Sequence, residues 1–392
     1  MREALTDLAT WWTGGDSVGV ATVVRTYHSA PRPAGAVMLV GPDGSAVGSV
    51  SGGCVEGAVY DVATAVRDGA GPTRERYGIS DSLAESVGVS CGGIIEVFVD
   101  RVDRTTFPEF GELVAAVEAG EPVALATVIS GDRAGGHLLV YGETPGEPRR
   151  RHGTLGTARL DDAVTDDALG LLSQGQSVVL EYGRDGERRG EGLEVFVDSF
   201  APPPRMIVFG AIDFAAAVAG VGSFLGYRVT VCDARPVFAT DRRFPDVDEL
   251  VVDWPHRYLA GQVAIGALDE RTVLCVLTHD PKFDIPLLAV ALRLPVGYVG
   301  AMGSRRTHTD RLAKLRELGL TEAQLSRLSA PIGLDLGART PAETAISIAA
   351  EIIARQWRGR GRPLSELTGP IHHARLTDES ESATPESATL RP

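Results

Sequence analysis

Positive charge is in short supply: 38 lysines and arginines stand against 52 aspartates and glutamates, a formal net charge of −14 with histidine neutral. Such a balance repels phosphate backbones and argues against a general nucleic-acid binder, so an anionic ligand needs a local basic pocket. Cysteine is scarcer still. Cys54, Cys91, Cys232 and Cys275 are all there are, with no CxxC pair and no secretory framework. These spacings argue against a tight structural zinc, and the default is reduced thiols in a cytoplasm. No apolar run reaches the ~18 residues of a membrane span. The opening MREALTDLATWW also lacks the basic-then-apolar order of a secretory leader. No Ser/His/Asp set and no paired-carboxylate motif emerges. What remains is an ordinary globular composition, 44% hydrophobic and 23% charged over 392 residues, enough for two or three domains at about 150 residues each.

An internal repeat organises the first half. Leu8 to Val23 reads LATWWTGGDSVGVATV and Leu113 to Val128 reads LVAAVEAGEPVALATV, an offset of 113 − 8 = 105. Glu96-Val97-Phe98-Val99-Asp100 recurs letter for letter at Glu194-Val195-Phe196-Val197-Asp198, an offset of 194 − 96 = 98. Residues 1–200 therefore read as a duplicated α+β domain. Each copy starts with a helix ending at Gly15 or Gly120, and strands rich in Val, Ile and Thr follow. In the first copy strands are expected at 18–25, 36–40 and 46–50, a helix carries Val55, Val59, Val62 and Val66, and Ile94 to Val99 closes the copy. The places matching Cys54 and Cys91 carry no cysteine in the second copy, where GTLGTA surrounds Thr157 and RRGEG surrounds Arg189. A purely structural cysteine would more often be shared by both.

Ala201-Pro202-Pro203-Pro204 reads as a stiff linker. Beyond it, over 205–360, strands at 206–209, 228–232, 250–252, 273–277 and 296–299 alternate with helices at 213–225 and 286–292. The pattern predicts a Rossmann-like, doubly wound parallel sheet, so the fold class is α/β. Thr340-Pro341-Ala342-Glu343 opens a last helix as a capping box. The polar tail 361–392 is expected to be disordered.

Several motifs could carry chemistry. Gly48-Ser49-Val50-Ser51-Gly52-Gly53-Cys54-Val55-Glu56-Gly57 runs from a strand into a helix, where free N–H groups and the helix dipole would hold an anion and stabilise the Cys54 thiolate. Ser90-Cys91-Gly92-Gly93 sets a second thiol beside glycines, and the two cysteines could converge. The plainer reading makes them small buried hydrophobes among turn glycines. Arg32, between Pro31 and Pro33, either meets a phosphate or is a solvated loop residue. In the second half Gly210 keeps the first glycine of a dinucleotide fingerprint, but Ile212 and Ala215 replace the other two. Asp233 stands 233 − 210 = 23 residues on, where a ribose-binding acid is expected. His279 follows a strand end, as an acid/base group or a capped loop residue. Gly300-Ala301-Met302-Gly303-Ser304-Arg305-Arg306 opens a helix with two arginines, the best second anion site.

Together Ser29-Ala30-Pro31-Arg32-Pro33 with Gly35, the 48–57 loop, Ser90-Cys91-Gly92-Gly93 and Tyr298-Val299-Gly300-Ala301-Met302-Gly303-Ser304 resemble the XdhC/CoxI accessory proteins of molybdenum hydroxylases, over nearly all of residues 1–356. The resemblance implies a chaperone that binds the molybdenum cofactor (molybdopterin), protects it while a cysteine desulfurase sulfurates it, and hands it to an apo molybdenum hydroxylase of the xanthine dehydrogenase or CO dehydrogenase type, without turnover of its own. The loops of Cys54 and Cys91 match the family's motif positions, and with the residues read above the cofactor-binding positions are expected at Arg32, Ser51, Gly52, Gly53, Cys54, Cys91, Gly92, Gly210, Asp233, Gly300, Gly303, Ser304 and Arg305, with Cys54 and Cys91 as candidate molybdenum or sulfur contacts. Where relatives show a glycine-rich turn this chain has Ile212 and Asp213, which counts against NAD(P). An NAD(P)-dependent oxidoreductase, and a scaffold joining desulfurase to hydroxylase, are the alternatives. A homodimer is the base-rate assembly.

Overall fold

Alternating Val, Ala and Thr along the central strands leave both faces apolar, so each strand must be covered twice. The computed structural model describes residues 1–27, 30, 32–78, 93–143, 146, 148–188 and 190–368. Cys91, Gly92 and the tail beyond 368 lie outside the described residues. The chain divides into two units, Met1–Pro202 and Pro203–Pro392.

In the first unit the sequence repeat is a repeat of architecture. One copy runs α1 (Leu5–Gly14), β1 (Val18–Tyr27), β2 (Val37–Val40), β3 (Ala46–Gly48), α2 (Glu56–Arg67), β4 (Thr73–Tyr77) and β5 (Ile94–Val102). The other runs α3 (Phe110–Glu118), β6 (Val123–Val128), β7 (His137–Tyr141), β8 (Arg151–Gly153), α4 (Ala158–Gln174), β9 (Val178–Gly183) and β10 (Gly192–Phe200). Each forms an antiparallel five-stranded sheet, ordered β3-β2-β1-β5-β4 and β8-β7-β6-β10-β9. Val18 and Val20 of β1 share one buried cluster with Val123 and Leu125 of β6, so the sheets meet face to face. Their outer faces are closed by helices. Ala21, Val23 and Val97 pack on Val59, Ala63 and Val66 of α2, while Ala126, Val128 and Val195 pack on Leu160, Val164 and Ala168 of α4. The layers are helix, sheet, sheet, helix.

That inter-sheet core is not wholly apolar. Thr22 and Asp100 from the first copy, and Thr127, His137 and Asp198 from the second, line a small cavity with Phe98, Phe107 and Phe196. The two aspartates end the two repeats of Glu-Val-Phe-Val-Asp, so duplication itself carried both carboxylates into one core. Ser177 donates to Asp198 Oδ1 at 2.8 Å. His137 stacks on Phe107 with ring centroids 4.1 Å apart, its Nδ1 is 3.2 Å from Thr127 Oγ1, and its Nε2 lies 3.4 Å from Asp100 Oδ2.

The second unit runs β11 (Arg205–Phe209), α5 (Asp213–Phe224), β12 (Arg228–Cys232), β13 (Glu249–Val251), α6 (Pro255–Ala264), β14 (Val273–Val276), α7 (Pro281–Ala291), β15 (Tyr298–Ala301), α8 (Arg305–Glu317), α9 (Glu322–Leu325), β16 (Leu328–Ser329) and α10 (Pro341–Trp357). Its parallel sheet is ordered β13-β12-β11-β14-β15-β16, and the order reverses between β11 and β14. Ala215 and Val218 of α5 pack with Ile348 and Ile352 of α10 on one face. Leu259 of α6, Leu287 of α7 and Leu315 of α8 fill the other. Helix α7 starts five residues before the expected Pro286, because Asp280 accepts from the Lys282 N–H at 3.0 Å and Pro281 takes the first helical position. Among the described residues no helix is long and apolar enough to cross a membrane.

Burial pushes Asp100 up to about 7 and His137 down to about 4. In the folded chain the pair holds one proton between about pH 4 and 7. Unfolded, with ordinary values of 3.8 and 6.5, it also holds one over nearly the same span. The two linkages therefore cancel. Replacing His137 by Leu leaves the raised Asp100 alone, and stability then falls as pH rises from about 4 to 7. Replacing Asp100 by Asn leaves the depressed His137, and stability falls as pH drops from about 6.5 to 4. Unfolding free energies from urea titrations across this range should change by on the order of 3 kcal/mol, in opposite directions in the two variants.

Candidate functional site

The glycine-rich loop between β3 and α2 folds around a carboxylate. Glu56, the first residue of α2, accepts from Ser49 Oγ at 2.7 Å and the Ser51 N–H at 2.9 Å on Oε1. Its Oε2 accepts from Ser51 Oγ at 2.5 Å, the Gly53 N–H at 2.8 Å and the Val55 N–H at 3.2 Å. Ser51 Oγ also accepts from the Cys54 and Val55 N–H groups at 3.0 and 3.1 Å, and Ser49 Oγ accepts from the Gly52 N–H at 2.9 Å. Every loop N–H from Ser51 to Val55 thus has an internal acceptor. Desolvation opposes the charge on Glu56, but the hydroxyl and N–H donors outweigh it and hold the carboxyl at about 2.

This corrects the expected open anion cradle. The N–H groups of Ser51, Gly52 and Gly53 point to the protein's own carboxylate and hydroxyls, and an incoming anion would meet a fixed negative charge. The loop is instead a rigid platform that presents Cys54, half-buried, beside the N-terminus of α2.

The second copy repeats the staple. Asp161 accepts from Thr154 Oγ1 at 2.9 Å and the Leu155 N–H at 2.7 Å. Ser49 and Thr154, like Glu56 and Asp161, are 105 residues apart. Gly48 and Gly153 match as well, at φ 83° and 88°. A Cβ on either would stand 2.3 or 2.5 Å from the carbonyl oxygen of Val37 or His137, so only glycine fits. The carboxylate staple is common scaffold. Gly52-Gly53-Cys54 belongs to the first copy alone. Sequence reasoning quoted Glu56 without giving it a role and missed Asp161, although their shared 105-residue spacing was the available signal.

Arg32 forms an ion pair with Glu3, Nη2 to Oε2 at 2.6 Å. That pair engages Nη2 at the surface of the first unit, while the Arg32 Nε is buried with no hydrogen-bond partner. Cys91 and Gly92 lie outside the described residues, and among those described no group of three or more His, Cys, Asp or Glu side chains is placed to hold a metal ion.

In the second unit the expected nucleotide residues have internal partners. Asp233 Oδ1 accepts from the Arg235 N–H and Nε at 2.8 and 2.9 Å. Its Oδ2 accepts from the Ala211 N–H at 2.7 Å and Arg235 Nη2 at 2.8 Å. A carboxylate has about four acceptor positions, and all are filled on a residue 1% exposed. Asp233 therefore pins the turn after β11 and has no position left for a ribose hydroxyl. Gly210 permits close backbone approach there, since a Cβ would lie 3.0 Å from the Thr278 nitrogen. Gly300 serves packing: a Cβ would lie 2.5 Å from Ile332 Cδ1. Ser304 caps α8, accepting from the Thr307 N–H at 3.1 Å, and Arg305 is exposed beside it. Arg311, absent from the sequence expectations, is 3% exposed and pairs with Asp284 at 2.6 Å. The structure thus brings Ser51, Gly52, Gly53 and Cys54 together in one loop and strings Gly300, Gly303, Ser304 and Arg305 along the junction from β15 to α8.

Comparison with protein families decides the membership. The model described as the XdhC and CoxI family matches residues 11–78 and 116–183, one segment in each copy at the same 105-residue offset. The XdhC Rossmann domain model matches residues 206–352. The chain belongs to the XdhC and CoxI family. Among relatives of this XdhC-type chain, a probable xanthine dehydrogenase subunit of Bacillus subtilis (strain 168) is 28% identical over 86% of this chain and 93% of its own length. The molybdenum cofactor insertion chaperone PaoD of Escherichia coli (strain K12) is also 28% identical, over 86% of this chain and 83% of its own. A solved structure, named a xanthine dehydrogenase from Bacillus halodurans, shares the fold with a TM-score of 0.62 at 24% identity, over 93% of this chain and all of that one.

Substituting Glu56 by Ala should strand the loop donors and lower stability by about 2 kcal/mol, read as a shift in urea midpoint. Wild-type Glu56 is depressed from 4.5 to about 2, so its contribution is full above pH 4.5 and is lost as pH falls toward 2. The acid limb of the stability curve should accordingly flatten in the variant, by about 1 kcal/mol once solvent screening is counted.

Proposed function

We propose that this chain carries a molybdenum cofactor as cargo and matures it for a molybdenum hydroxylase of the xanthine dehydrogenase or CO dehydrogenase type. One observation carries the reading: on a duplicated scaffold whose carboxylate staples match, only the first copy adds Gly52-Gly53-Cys54, with a half-buried thiol that packs against the core beneath α2. Similarity to the Escherichia coli cofactor insertion chaperone supports it.

Thiolate is a soft ligand suited to the molybdenum or sulfur end of such a cargo. In this reading Cys54, joined by Cys91, contacts that end. The filled loop holds Cys54 in a fixed direction rather than binding the cargo's phosphate. Arg32 is the better phosphate contact, because its pair with Glu3 is exposed and worth about 0–1 kcal/mol, so exchanging it for a phosphate is cheap. A cysteine desulfurase and the apo-hydroxylase are the partners, a homodimer is the proposed assembly, and the chain turns over nothing itself. A nicotinamide has no ribose acceptor at Asp233.

Anaerobic titration of the purified protein with molybdenum cofactor, followed by gel filtration, tests this, with NADH and NADPH in parallel. Near-stoichiometric retention is expected, weakened about tenfold or more by Cys54→Ser, with neither nicotinamide retained. Equal retention by Cys54→Ser would remove Cys54 from the site. No retention by the wild type overturns the cargo reading, and capture of desulfurase and hydroxylase without cofactor would leave a scaffold.

A further inference from the structure

In doubly wound sheets ligands gather beyond the carboxyl ends of the strands. At that edge β15 passes through Met302, Gly303 and Ser304 into α8, a helix of 13 residues. Ser304 satisfies the Thr307 N–H, and the N–H groups of Arg305 and Arg306 have no intrahelical acceptor. A helix end alone selects no ligand. The second observation lies beneath it.

Arg311 reaches back from the same helix to its mouth. Its Nη2 donates to Asp284 Oδ2 at 2.6 Å and to the Met302 carbonyl at 3.1 Å. A guanidinium usually meets a carboxylate with both terminal nitrogens, but Asp284 Oδ1 is taken by the Thr278 hydroxyl. Nη1 is consequently buried with no partner, on a side chain 2% exposed. Buried donors are normally satisfied, and an orphan on a charged group is the costliest kind. His308, one turn earlier on the same face, leaves its Nδ1 buried and unpartnered too. Gly303 lies beside Arg311 Nη1 at the helix mouth: a Cβ there would stand 3.3 Å from Thr307 Cβ and 3.8 Å from that nitrogen.

We propose that Arg311 Nη1 and the first-turn N–H groups of α8 form a binding site for a phosphate or pyrophosphate group of a small ligand, entering across Gly303. Asp284 neutralises Arg311, so the ligand's charge is met by the helix N-terminus with exposed Arg305 and Arg306, while Nη1 fixes one oxygen. In a chain of net charge −14, exposed Arg305 and Arg306 beside the helix N-terminus make the local basic pocket an anion requires. No thiol and no residue of the first unit enters this site, so it stands or falls apart from the cargo reading.

The test is calorimetric titration of the full chain with inorganic pyrophosphate, inorganic phosphate and ADP at constant ionic strength. Arg311→Lys keeps a cation for Asp284 and removes the second nitrogen. It should weaken pyrophosphate binding about tenfold or more. The double variant Arg305→Ala/Arg306→Ala removes two exposed cations, leaves the Arg311–Asp284 pair untouched and should weaken binding similarly, which covers the case in which Arg311→Lys fails to fold. Binding of ADP tighter than pyrophosphate and dependent on Arg311 assigns the group to a nucleotide; equal binding assigns it to the phosphates alone. No pyrophosphate binding up to about 10 mM, or unchanged affinity in both variants, overturns the site.

Discussion

Internal carboxylates fill the turns of this protein. Glu56 gathers the donors of the loop before α2, Asp161 does the same before α4, and Asp233 draws in the Ala211 N–H at the end of β11. In each case a segment whose glycines or small polar residues free backbone N–H groups would attract an outside anion if left alone. The acid supplied from within satisfies those donors, fixes the turn and sets the direction in which the next helix departs. The helices that cover the sheets hang on these turns, so the layered architecture of the first unit depends on the staples as much as on the apolar faces that α2 and α4 bury. The mouth of α8 differs, because there a hydroxyl, Ser304, caps the helix and exposed Arg305 and Arg306 stand beside it.

Duplication acts as an internal control. Gly48 with Gly153, Ser49 with Thr154 and Glu56 with Asp161 hold equivalent places, so their chemistry is that of the scaffold. Asp100 and Asp198 likewise share a place in the repeat and line one cavity, but their partners differ: one sits against His137, the other against Ser177. Positions that differ between the copies are not part of that shared scaffold, and Cys54 is one of them.

Much of the fold is legible in the sequence. The 105-residue offset, the two Glu-Val-Phe-Val-Asp blocks and the strand–helix alternation after Pro204 are local or periodic signals, and they correspond to the two matching sheets and the parallel sheet. Periodicity starts helix α7 too late because its true start rests on the Asp280 cap, a single hydrogen bond that a repeat of apolar residues does not register. The sites are less legible. A glycine-rich loop before a helix looks the same in sequence whether its donors face a ligand or a glutamate in the next turn, and only the distances around Glu56 separate the two. Arg311 and Asp284 are 27 residues apart and belong to different helices, so nothing in the linear pattern joins them. His137 and Asp100 come from opposite sheets, and their pairing exists only once the sheets face each other.

The face-to-face packing of the two sheets has one more consequence. Were the halves separate identical chains, each change in one would appear in both, and a reactive group placed on the surface would come in pairs. Joined in a single polypeptide they keep the mutual burial of a dimer and lose its symmetry. The second half can then serve as a permanent counterpart that stabilises the first, while Cys54 and Cys91 stand in the first half alone and are not doubled.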